Sequence, residues 1–321
     1  MEDYHLKKYI FLFTLITLLL VLTACSVEPQ TDSTNGEEDK KVIKIGHLPI
    51  THAAPLFLQN EEKYEDYEIE LVKFGSWPEL MDALNTGKID GASVLIQLAM
   101  KAKEQGIDLK AVALGHRDGN VVVVSPEIEN VEDLKGKSFA IPNRFSTHNV
   151  LLYQMLQKAG IAYDELDVVE LAPAEMPAAL AEGRIAGYVV AEPFGAIAVS
   201  LEKGKVLYQS EEIWPNSIDC GLVLRGDFIK ENEKLAKQFV QDYAAAGDKA
   251  HTGDESAHRV IGKYIDVEDK VLDLSLQWIS YNDLKIQEDS YKILSDSLIE
   301  MGLSEQPPSY EDFVNTTLIE D

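Results

Sequence analysis

From residue 42 onward, short β-branched and apolar runs alternate with segments whose apolar positions recur at the helical period. The runs Val42–Gly46, Ile69–Phe74 and Gly91–Val94 are predicted strands, followed in turn by predicted helices at Pro55–Glu62, Pro78–Asn85 and Leu95–Gln105. The alternation continues through strands at Lys110–Leu114, Val121–Ser125 and Ser138–Ile141, a helix at Thr147–Ala159, and strands at Val168–Leu171 and Gly187–Ala191. From about Lys230 the pattern is helical with little strand. This is α/β patterning with a largely parallel sheet, closed by a helical tail expected to pack back on the first part of the chain.

The N-terminus departs from this pattern. Lys7 and Lys8 precede an apolar run from Tyr9 to Leu22, which ends in Leu22, Thr23, Ala24, Cys25. A spanning helix needs about 20 apolar residues, and this run is shorter, so residues 1–24 are predicted to be a signal peptide ending in a lipobox. Cys25 would then be the lipidation site, because a thioether to diacylglycerol needs a thiol, and multiple acyl chains hold a protein to a bilayer more firmly than one. Residues 25–40 are polar and acidic and bury too little to fold, which makes them a flexible tether. The remaining ~280 residues exceed what one core usually supports. Two lobes are expected: residues 41–122 as the first part of lobe 1, 123–218 as lobe 2, and 219–321 as the return to lobe 1 with C-terminal helices.

Charge narrows the partners. The net charge is −26, and residues 1–24 carry Glu2 and Asp3 against Lys7 and Lys8, so cleavage leaves it unchanged. Such a chain, with no basic run, is a poor partner for nucleic acid. Cys220 is the only thiol left after Cys25, which excludes an intramolecular disulfide, and its apolar setting reads as that of a buried, inert thiol.

Ligands of open α/β sheets bind beyond the carboxyl ends of strands, near helix N-termini. Three such junctions carry polar or aromatic side chains: Pro49–His52, Gly75–Glu79 and Asn143–His148. At the second, Ser76 and Glu79 have capping-box spacing and Trp77 offers a flat apolar wall. At the third, Ser146 or Thr147 caps the helix and His148 stands in its first turn. The loop Gly115–Gly119 holds His116 and Arg117, the latter a candidate anion partner unless Asp118 pairs with it. The candidate ligand-binding set is Thr51, His52, Ser76, Trp77, Ser93, His116, Arg117, Thr147, His148 and Glu192. A zinc-spaced His/Cys set, a Gly-rich phosphate loop and a nucleophile with its base are all missing from the local sequence, so no metal, cofactor or catalytic residue is expected.

The order of segments resembles the extracytoplasmic binding proteins of the nitrate, sulfonate, taurine and bicarbonate ABC importers, most of all the nitrate- and bicarbonate-binding branch. The resemblance rests on Gly46–Leu56, on Trp77 before a helix, on Gly87–Ala92, on Thr147 and His148, on Pro173–Met176, and on Gly183–Tyr188 leading to Glu192, Pro193 and Phe194. It implies a two-lobed type II periplasmic-binding fold with mixed sheets flanked by helices. It implies as well a small solute captured by lobe closure, such as nitrate, bicarbonate, a sulfonate or a related organic compound, and delivery to ABC permease subunits from a lipid-anchored position outside the cell membrane. Trp77, Thr147, His148 and Glu192 fall where that branch lines its cleft. The chain departs from the family pattern at Phe145 and Ser146, at Phe194, and at His116 and Arg117, which alters the pocket floor. Two other readings of the same fold are a biosynthetic enzyme acting on a pyrimidine or menaquinone precursor and a ligand-sensing partner of a membrane receptor.

Overall fold

A computed structural model describes residues 40–320. The predicted signal peptide, Cys25 and almost all of the tether lie outside the described residues. Residues 41–320 form one compact unit built on two five-stranded mixed sheets.

The first sheet runs β2-β1-β3-β11-β4, from β1 (Lys41–His47), β2 (Tyr67–Lys73), β3 (Gly91–Leu95), β4 (Leu109–Leu114) and β11 (Cys220–Arg225). The second runs β10-β6-β9-β7-β8, from β6 (Asn120–Val124), β7 (Ser138–Ile141), β8 (Asp167–Glu170), β9 (Gly187–Ala191) and β10 (Lys205–Gln209). In the first, β1 is parallel to β2 and β3, and β11 enters antiparallel to both β3 and β4. In the second, β7 is parallel to β8 and β9, and β6 is antiparallel to β9 and β10. Each sheet is therefore parallel where strand–helix–strand units build it and antiparallel where the chain crosses from the other sheet. Central strands β3, β6 and β9 are buried along their whole length, which explains their unbroken apolar sequences.

Two segments cross between the sheets, one after β4 and one before β11. They lie against each other, with the Gly115 N–H donating to the Cys220 carbonyl at 2.8 Å. A Cβ at Gly115 would meet the His52 carbonyl oxygen at 2.7 Å, so only glycine allows this approach. Short strands β5 (Arg117–Asp118) and β12 (Ile279–Ser280) pair beside the crossing.

The helical tail packs on the first lobe: Glu233–His251 buries Phe239, Val240 and Tyr243, and Gln59 donates to the Phe239 carbonyl at 2.9 Å. It also reaches the second sheet's helices. Ser275, in the helix Asp269–Gln277, bonds Glu192, and Tyr153 donates to Glu300 at 3.2 Å. No helix among the described residues is long and apolar enough to cross a membrane.

Candidate functional site

Where the sheets face each other, buried polar side chains arrive from both lobes and from the crossing. His52 sits in a 3-10 turn (Thr51–Ala53) before the helix Ala54–Asn60. His116 follows β4, Asp219 precedes β11 and Cys220 begins it. His148 stands in the first turn of the helix Thr147–Lys158, with its backbone in the second lobe. His52, His116, His148, Asp219 and Cys220 are all at most 3% exposed.

Their geometry is tight. The His52 and His116 rings stack with centroids 3.4 Å apart. Asp219 Oδ2 lies 3.2 Å from His52 Nδ1 and 3.7 Å from His116 Nε2, while Asp219 Oδ1 is 3.8 Å from His148 Nδ1. Cys220 Sγ is 3.4 Å from His52 Nδ1. The outer nitrogens of two rings face backbone carbonyls: His52 Nε2 donates to Gly119 O at 3.2 Å and His116 Nδ1 to Asp118 O at 2.7 Å. A carbonyl only accepts, so these bonds direct the other nitrogen of each ring toward Asp219. His116 Nε2, both His148 nitrogens and Asp219 Oδ1 have no hydrogen-bond partner.

Burial, with His52 nearby, pushes the His116 imidazole down to about 4 against the pull of Asp219, and burial lowers His148 as well. Burial would raise Asp219, but His148, His116 and His52 together hold its carboxyl well below the usual range. Burial and the Asp219 charge push the Cys220 thiol well above its ordinary value. An ionised carboxylate thus faces His116 and His148, whose burial favours the neutral imidazole.

Around this group, direct bonds hold the lobes together. The Thr51 N–H and hydroxyl both donate to the Glu192 carbonyl at 3.0 Å. Gln97, in the first-lobe helix Ile96–Glu104, donates to the Thr147 hydroxyl, which donates to the Ile218 carbonyl at the crossing. The Glu192 side chain accepts from Ser275 Oγ at 2.9 Å and from the Ala196 N–H at 3.1 Å. Burial pushes its carboxyl up to about 8, with Ser275 and Ala196 pulling the other way. An apolar recess of ≈ 390 Å³, lined by Leu48, Pro49, Ile50, Phe74, Pro173 and Phe194, opens between loops of the two lobes.

Of the ten candidates, the structure gathers Thr51, His52, His116, Thr147, His148 and Glu192 at the interlobe contact. Trp77 is 3% exposed and packs in the first lobe's apolar core, its Nε1 without a partner. Ser93 is buried in β3 opposite Leu222. Ser76 takes the N-cap conformation, but its side chain makes no capping bond, so the predicted capping box does not form. Ser146 is the cap of the His148 helix, accepting from the Asn149 N–H at 3.2 Å. Arg117 points away from His116, as neighbours in an extended segment do. It meets Asp283 at 3.6 Å, not Asp118, in a half-exposed setting.

The sequence reading missed Asp219, Gln97 and Ser275. Cys220 is buried as expected, yet it joins the polar group through His52 and Asp219. The available signal was an acidic residue immediately before an apolar strand, at Asp219–Cys220. Residues of this group are separated by as many as 168 positions, so no local spacing exposes it.

Comparison with known proteins gives consistent results. A profile described as the NMT1-like family matches residues 36–265. The ligand-binding component of an ABC-type import system from Staphylococcus aureus, solved with zinc bound, is 42% identical, with a TM-score of 0.83 over 87% of this chain and 98% of that one. The periplasmic nitrate-binding protein NrtA from Synechocystis shares the fold at a TM-score of 0.77 and 18% identity, over 87% of each chain. The nitrate import ATP-binding protein NrtC of Synechocystis is 25% identical over 260 residues, 72% of this chain; the match spans only 38% of that longer protein. These likenesses establish the two-lobed fold of the periplasmic binding proteins.

Proposed function

This chain belongs to the NMT1-like family, and from that premise we propose that it is the extracytoplasmic solute-binding component of an ABC importer, holding its solute between the lobes. The observation that carries this reading is the convergence of His52, His116, His148 and Asp219, from both lobes and the crossing, into one buried group with unpartnered polar atoms. Buried polar atoms without partners cost about 1–3 kcal/mol each, and a solute that satisfies them binds the closed form selectively. Closure then shifts an open–closed equilibrium, and the closed form is the state the permease reads.

The lobe contacts Thr51–Glu192 and Gln97–Thr147 suit such closure, because each joins residues far apart in the chain by a few direct bonds. The importer role of the Staphylococcus aureus relative supports the reading, and its zinc adds metal ions to the anions worth testing. The Leu22–Cys25 ending supports attachment to the outer face of the membrane through Cys25. Incorporation of labelled fatty acid that is abolished by Cys25→Ser tests that attachment.

The decisive experiment is a thermal-shift screen of the purified protein against nitrate, bicarbonate, alkanesulfonates, small carboxylates and divalent metal salts. A solute at 100 times its Kd stabilises the folded state by about 2.7 kcal/mol. The expected result is a rise in Tm with one class, with scattering showing a more compact particle. No response to any class, from a protein with an intact fold, rejects the reading.

A further inference from the structure

We propose that His52, His116, Asp219 and Cys220 bind a single divalent transition-metal ion, and that this ion, alone or carrying a small ligand, is the cargo. The inference rests on the solute-binding reading for the role of cargo and deepens it by naming the class of solute.

One donor atom from each of these residues lies within 4.8 Å of the other three. Ligands at zinc's usual bond lengths occupy the corners of a tetrahedron with edges of about 3.4 Å. The measured separations are 3.2 Å from Asp219 Oδ2 to His52 Nδ1, 3.7 Å from Asp219 Oδ2 to His116 Nε2, and 3.4 Å from His52 Nδ1 to Cys220 Sγ. The donors therefore already stand at near-ligand spacing.

The surrounding bonds have the form that metal-ligating histidines require. Such a ring gives its outer N–H to a carbonyl or carboxylate, which settles the tautomer and aims the remaining lone pair inward. His52 does so with Gly119 O and His116 with Asp118 O. A buried ion pair between one imidazolium and Asp219 would satisfy one ring; it would leave the unpartnered atoms of the other two histidines as they are. Two imidazoles, a carboxylate and a thiol form a borderline-to-soft donor set, suited to zinc and its neighbours and poor for calcium or magnesium.

His148 gives the site a link to closure. Its Nδ1 faces Asp219 Oδ1, the oxygen not turned toward His52 and His116. A metal ion on Oδ2 orients the carboxylate for His148, so the second lobe reads the loaded first lobe through Asp219. His148 is thus a positioning residue, and the four donors are the ligands.

The test starts from full-length protein stripped with a chelator and titrated with Co(II), then Zn(II), with Ca(II) and Mg(II) as hard-cation controls. The expected result is one equivalent of Co(II) with four-coordinate visible absorption and a thiolate-to-cobalt charge-transfer band, both removed by one equivalent of Zn(II). Cys220→Ser should abolish the charge-transfer band, and His116→Gln and Asp219→Asn should weaken binding by at least about 100-fold. His148→Gln should retain the cobalt spectrum and lose the metal-driven compaction seen by scattering. If a variant fails to fold, wild-type protein decides alone, through hyperfine-shifted N–H resonances from two imidazoles in the cobalt form. No uptake beyond trace, uptake equal in all variants, or equal binding of calcium overturns the proposal. The same stripped protein is screened against nitrate, bicarbonate and methanesulfonate. A shift with one of these and no metal uptake overturns the metal while leaving the solute-binding reading intact, whereas silence in both arms removes the two together.

Discussion

Asp219 and Glu192 are both fully buried carboxylates at the interlobe contact, and their environments drive them in opposite directions. Asp219 faces His52, His116 and His148 and is held ionised. Glu192 has one hydroxyl and one backbone N–H, and its carboxyl is pushed up to about 8. Burial acts on both alike; the difference comes from what the rest of the fold presents to each. One carboxylate is kept as an anion that awaits a positive partner, and the other braces the second lobe against the helix Asp269–Gln277.

The comparison breaks most visibly at Asp219. Asp219→Ala removes the carboxylate that faces three buried imidazoles and leaves the ring that pairs with it in the metal-free protein buried without its counter-charge, at an expected cost of about 3 kcal/mol in urea unfolding. A change of less than about 1 kcal/mol would mean that the carboxylate and the rings are not coupled.

Glu192 should show itself through pH. Between its unfolded value of 4.5 and about 8, the folded chain keeps a proton that the unfolded chain has released. The contribution of this group to stability is therefore complete below pH 4.5 and is lost as pH rises through 8, with a slope of up to about 1.4 kcal/mol per unit. Glu192→Gln keeps the contact with Ser275 without ionising, so it should flatten that slope and leave the variant the more stable protein at pH 9. An unchanged slope would show Glu192 to be ionised throughout.

The remaining contrasts are smaller. Gln97→Ala removes the clip to Thr147 and should cost about 1 kcal/mol with no change in pH dependence, as read from paired denaturation curves at two pH values. Arg117→Ala breaks a pair whose side chains are 35% and 61% exposed, and should change stability by less than about 0.5 kcal/mol. It should also leave solute binding unaltered, since Arg117 stands outside the buried group, and weakened binding would bring it into the site.

How far the sequence could be read follows from the range of the forces involved. Strands such as Ser138–Ile141 and Gly187–Ala191 coincide with β7 and β9, because a buried strand must be apolar on both faces and that demand is written in adjacent residues. Strand β10 escaped detection because Lys205–Gln209 is half-buried throughout and carries no clear alternation. The antiparallel strands, too, were invisible locally: strand direction depends on the sheet from which the chain arrives, and β6 and β11 each arrive from the other one.

The sequence by itself determined the alternation of elements and the resemblance to a family, and it marked Thr51, His52, Thr147 and His148 as candidates because they stand where helices begin. Only the tertiary structure decided that a carboxylate and a thiol at Asp219–Cys220 meet histidines from positions 52, 116 and 148. Local sequence encodes burial and period, which act between neighbours along the chain. A polar site is assembled across loops and lobes, so its geometry exists only when the two crossing segments lie side by side and bring its donors within a few ångströms.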